Sequence, residues 1–129
     1  MKRWLAAGIL TGGIAASFGW ILAAPEPLPA EALASHSANI ENGKVLFTAA
    51  GCLSCHLPAK DDKDADKSLP SGGHELKTPA GTFYPPNITP DPETGIGGWT
   101  NIQFVNAVKR GISLDGRHYL PAFPYTSYE

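Results

Sequence analysis

The chain of 129 residues holds two cysteines, one methionine, which is Met1, and little net charge, −2 at neutral pH. Each scarcity removes a class of function. With only Cys52 and Cys55, no second ligand pair exists to close a structural zinc tetrahedron. A disulfide between two cysteines so close in sequence would close a strained loop. No βαβ pattern surrounds them, which argues against a thioredoxin-like dithiol. From Pro25 onward eight basic residues face twelve acidic ones, a balance of −4 that excludes nucleic acid as a partner.

What is present is Cys52-Leu53-Ser54-Cys55-His56. Two thiols three residues apart followed at once by histidine form an attachment site for c-type haem. Each thiol adds across one haem vinyl group, and the adjacent imidazole reaches the iron from one face. Cys52 and Cys55 are therefore the candidate covalent haem ligands and His56 the axial iron ligand, for one haem c. No catalytic residue is implied.

Residues 1–24 differ from the rest. Met1-Lys2-Arg3 precedes an uncharged apolar run from Trp4 to Ala24, read as a signal peptide or membrane anchor. Its 21 residues suffice to span a bilayer as a helix, although Gly8, Gly12, Gly13 and Gly19 lower its helix propensity. No small-x-small cleavage pattern follows closely, which favours an uncleaved anchor. Lys2 and Arg3 should remain in the cytoplasm, sending the rest to the periplasmic side. Residues 25–36, beginning Pro25-Glu26-Pro27-Leu28-Pro29, read as a stiff extended spacer holding the domain of 37–129 away from the bilayer. About 93 residues make one small domain with a marginal core of its own, which haem would supplement.

Within that domain Ala38 to Ala49 reads as a helix with Asn39 as N-cap. Gly43 in it is either a point of close approach by another helix or a tolerated surface glycine. Lys60 to Lys67 is a mixed-charge solvated loop whose aspartates lack calcium-loop spacing. Leu69 to Gly98, rich in Gly, Pro and Thr, reads as turns wrapped around a haem edge rather than regular elements. Thr100-Asn101-Ile102-Gln103 fits a capping box, opening a helix that ends at Gly111. The tail to Glu129 reads as a loop packed by aromatics.

A haem electron carrier commonly sets methionine opposite histidine. Met1 lies at the cytoplasmic end of the apolar run and cannot serve. The candidates for a sixth ligand are His118, which leads, then His74 and His36, each of which also reads as a surface histidine. An open sixth position would instead permit a five-coordinate sensor or peroxidase-like chemistry, with His118 or His74 as the acid-base residue.

Thr78-Pro79-Ala80-Gly81-Thr82-Phe83-Tyr84-Pro85-Pro86-Asn87-Ile88-Thr89-Pro90-Asp91, then Thr94 to Thr100 and Asp115 to Tyr128, together with the haem site, resemble the cytochrome c subunits of bacterial membrane-bound dehydrogenases that oxidise alcohols, gluconate, sorbitol or aldehydes. The resemblance implies a mostly α, small cytochrome c-like domain with long loops around haem, preceded by an N-terminal apolar helix. It implies a periplasmic electron carrier, anchored to the inner membrane, that turns over no substrate itself. Its partners would be a dehydrogenase catalytic subunit and a quinone or oxidase-side acceptor. Trp99, Arg117 and Tyr119 become candidates for packing and hydrogen bonding around the haem and its propionates. Family members continue into a methionine and a final helix that would cross Gly43 and Phe47. Their absence before Glu129 implies a truncated chain, with a non-functional remnant as one outcome.

Overall fold

A computed structural model describes residues 2–35, 37–120 and 122–128, without the side chains of 2–7, 9 and 10. His36 lies outside the described residues. Among them are four α-helices, α1 (Lys2–Leu22), α2 (Ile40–Ala49), α3 (Cys52–His56) and α4 (Asn101–Arg110), and a hairpin of β1 (Leu76–Thr78) and β2 (Gly81–Phe83). Loops make up most of the remainder.

The apolar run forms α1, in which Thr11 and Ser17 turn their hydroxyls back onto Gly8 O (3.1 Å) and Gly13 O (2.9 Å). That bond satisfies a polar side chain inside an apolar helix. Ile14, Phe18, Trp20, Ile21 and Leu22 are all exposed. Among the described residues no helix is long and apolar enough to cross a membrane.

Two helices follow from local signals. Asn39 caps α2 by accepting from Asn42 N at 2.9 Å. Gly43 has open space where a side chain would stand, so the described residues supply no helix crossing there. Thr100 opens α4 with both bonds of a capping box, Gln103 N to Thr100 Oγ1 and Thr100 N to Gln103 Oε1. Gly111 closes α4 in the left-handed conformation, φ 61°. A side chain there would meet Tyr125 Cδ1 at 2.5 Å, because the aromatic tail packs back onto α4. Tyr119, Tyr125 and Tyr128 surround Phe123 with ring centroids 6.0 to 6.3 Å away.

One expectation requires correction. The segment 69–98 contains regular structure, an antiparallel hairpin pairing Leu76 with Phe83, Lys77 with Thr82 and Thr78 with Gly81. Pro79 and Ala80 form its loop, and Thr78 Oγ1 holds that loop by accepting from Ala80 N at 3.2 Å and donating to Gly81 O at 2.9 Å. Three-residue strands are too short to display an alternating pattern. The Pro-rich segment also touches the domain. Asn106 on α4, 9% exposed, binds the backbone of Leu28 on both sides, accepting from its N–H at 2.7 Å and donating to its carbonyl at 3.1 Å. The Pro-rich segment is thus fastened to α4 at Leu28.

Candidate functional site

Gly51, at φ 68°, turns the chain from α2 into α3. The single turn of α3 then carries Cys52, Cys55 and His56 together. Both thiols are free; Cys52 is half-buried and Cys55 exposed. Burial pushes the Cys52 thiol up, a bond with its own backbone opposes this, and the neighbouring Cys55 adds to the rise.

His56 Nδ1 lies 2.7 Å from Pro86 O. A carbonyl oxygen can only accept, so Nδ1 carries the proton and donates it to Pro86 O, which leaves the Nε2 lone pair on the opposite side of the ring from that acceptor. This is the arrangement a metal-ligating imidazole needs: one nitrogen oriented by a fixed acceptor, the other free to bind.

The loop that brings Pro86 to His56 is fastened by a third segment, 72–74. Gly72 N donates to His56 O at 2.9 Å, Gly73 N to Pro85 O at 2.9 Å and His74 N to Leu57 O at 3.0 Å. Gly72 and Gly73, which precede His74, are thus tied on both sides. Further along, the Asp91 carboxylate accepts from Glu93 N (3.0 Å), Thr94 N (2.6 Å) and Thr94 Oγ1 (2.9 Å). Those bonds hold its carboxyl below the usual range and fold 89–99 into nested turns. Pro86 and Gly72 were not singled out as site residues in the sequence. The double glycine and double proline were visible, but not that they meet.

The other expected residues stand elsewhere. His118 is exposed, with Nε2 3.3 Å from Ala23 O beyond α1, a contact that requires the proton on Nε2. Coordination through Nε2 would break it. Arg117 directs Nε at 2.7 Å and Nη2 at 2.5 Å onto Asp115 Oδ2. Trp99 and Tyr119 are half-buried, and burial raises the Tyr119 hydroxyl. Among the described residues no three His, Cys, Asp or Glu side chains converge to hold a metal ion by themselves.

The site fits a haem in two respects. Its donor set is two uncrosslinked thiols and one oriented imidazole on a single helical turn. Among the described residues the polypeptide also buries little of itself: Ala107 and Ile112 form its buried hydrophobic core, while Ile40, Val45, Leu46, Leu69, Tyr84, Phe104, Leu114 and Leu120 are exposed. A domain this small with so little self-burial would gain a core from a large apolar group such as haem.

No family model matches the chain. It is 42% identical over 128 residues to a protein named diheme cytochrome c-type from Cereibacter sphaeroides, covering 99% of this chain and 43% of that one. It is 39% identical over 103 residues to the fructose dehydrogenase cytochrome subunit of Gluconobacter japonicus, covering 80% of this chain and 20% of that one. It is 39% identical over 116 residues to the cytochrome c subunit of the quinone alcohol dehydrogenase of Gluconobacter oxydans, covering 85% and 23%. The chain thus spans less than half the length of these curated relatives.

Proposed function

We propose that this chain, a homologue of the cytochrome c subunits of bacterial dehydrogenases, is a one-electron carrier with a single covalent haem c. It would accept electrons from a dehydrogenase catalytic subunit and pass them towards a quinone or an oxidase-side acceptor. Cys52 and Cys55 would hold the haem through thioether bonds, and His56 would offer Nε2 to the iron. When bound, haem supplies the Fe(III)/Fe(II) couple. The observation that carries this reading is the His56 Nδ1 to Pro86 O bond at 2.7 Å, adjacent to two free thiols.

The protein's own part is orientation and cover. Pro86 keeps the Nδ1 proton in place, which fixes the imidazole's tautomer and raises its basicity towards a metal. Exposed apolar side chains of α2, α4 and the loops offer surface that a haem face would cover.

The domain would work in the periplasm. The exposed apolar residues of α1, from Ile14 to Leu22, support a role for this segment in export and attachment to the inner membrane. Lys2 and Arg3 would stay on the cytoplasmic side.

The test is expression with cytochrome c maturation enzymes in a bacterial host. Haem that stays with the polypeptide through denaturing electrophoresis, a two-thioether pyridine haemochrome spectrum and a reversible one-electron redox titration are expected. Cys55→Ala should yield a one-thioether spectrum, and Cys52→Ala with Cys55→Ala should carry no covalent haem. A wild-type protein exported without haem sinks the reading.

A further inference from the structure

Gly72 closes a triangle with His56 and Pro86. Its N–H donates to the His56 carbonyl at 2.9 Å, and the His56 side chain reaches Pro86 O at 2.7 Å. The third side is direct contact between Gly72 and the Pro85-Pro86 backbone. A Cβ at Gly72 would stand 2.6 Å from both Pro85 O and Pro86 O and against the Pro86 carbonyl carbon. These are backbone atoms, unable to rotate aside as the tip of a side chain could. The backbone of Gly72 also sits at φ 76°, where a residue with a side chain is strained.

We propose that Gly72 is a positioning residue: by having no side chain, it lets the Pro86 carbonyl approach His56 and so sets the electron-donating strength of the axial imidazole. This rests on the haem reading above. A methyl group at Gly72 acts as a wedge. Because the Gly72 N–H is tied to the His56 backbone, the wedge drives Pro86 outward and stretches the bond it makes with Nδ1. An imidazole whose Nδ1 proton is less engaged donates less to the metal. Fe(III) gains more than Fe(II) from that donation, so its loss favours the reduced form and moves the potential upward.

Gly116 provides an internal reference. Its φ is 77°, within a degree of that at Gly72, yet a Cβ there meets nothing. Gly72→Ala and Gly116→Ala therefore both place a side chain at a positive φ of nearly the same value, and only the first intrudes on the His56–Pro86 bond. Both holoproteins are titrated spectroelectrochemically, with amide exchange at Gly73 and His74 followed in parallel. Gly72→Ala should raise the reduction potential and speed exchange at both amides, while Gly116→Ala should leave potential and exchange as in wild type. A loaded Gly72→Ala protein with unchanged potential overturns the proposal, as does an equal shift in Gly116→Ala.

Should Gly72→Ala fail to load, Gly72→Ala with Pro85→Gly, in which the loop can swing clear, is compared with Pro85→Gly alone. The raised potential should persist in the double variant, and equality of the two overturns the proposal. A wild-type chain that attaches no haem overturns the function and this role together, whereas an unshifted potential in a loaded variant removes only the role of Gly72.

Discussion

Asp115 shows how far an exposed residue can be tuned by its immediate neighbours. Hydrogen bonding from Arg117, then from Ser113, pushes its carboxyl from 3.8 to about 2. The charged form is the one the fold favours. Its contribution is therefore complete above pH 3.8 and lost as pH falls through about 2, and full exposure keeps it small and open to salt screening. A carbon-13 titration of the Asp115 carboxyl in the holoprotein should find its midpoint near 2, and Arg117→Gln should return it towards 3.8. An unshifted midpoint in wild type would show that the pair does not persist in solution. Residues at the proposed haem site divide by how locally their chemistry is written. Cys52, Cys55 and His56 stand out in the sequence because covalent attachment and axial ligation would demand adjacent residues. Pro86 is not, since it acts across 30 positions through its carbonyl, which every residue possesses.

Among the elements, α2 and α4 are the most legible, because a cap acts within three residues of its own helix. The hairpin of β1 and β2 was hidden by strands too short for alternation, and the meaning of Gly72 by a contact 14 residues downstream. The two ends of α4 lead to an ordered prediction. Thr100→Ala removes the capping-box acceptor for Gln103 N and should cost about 1 kcal/mol. Gly111→Ala combines a left-handed backbone, worth about 1–3 kcal/mol for a residue with a side chain, with intrusion on the Tyr125 ring. Chemical denaturation of the holoproteins should thus rank Gly111→Ala below Thr100→Ala and both below wild type. If Gly111→Ala matched Thr100→Ala, the packing of Tyr125 against α4 would not contribute to stability.

On the scale of the whole molecule, distant parts of the sequence are joined by hydrogen bonds at Leu28 and Ala23. Leu28 and Asn106 are 78 positions apart, and the amide side chain replaces both hydrogen bonds that the Leu28 backbone would otherwise make with water. His118 adds a weaker tie to Ala23 at 3.3 Å. Sequence patterning could not disclose either, because an asparagine in mid-helix gives no sign of which backbone it will bind. Each intramolecular hydrogen bond contributes about 0.5–1.5 kcal/mol net, so the Asn106 pair is worth on the order of 1–3 kcal/mol. Since 1.4 kcal/mol is a factor of ten in an equilibrium, the Leu28 amide should exchange about tenfold faster or more in Asn106→Ala than in wild type. The segment from Pro25 to Leu33 should also become more readily cleaved by protease. His118→Ala should produce a smaller change at Leu28, because it leaves both Asn106 bonds intact. Asn106→Asp separates shape from hydrogen bonding: its carboxylate can still accept from Leu28 N but cannot donate to Leu28 O, so its exchange should fall between wild type and Asn106→Ala. If Leu28 exchanged equally in all four proteins, the Pro-rich segment would move independently of α4. The domain would then stand on a spacer whose only stiffness comes from its prolines.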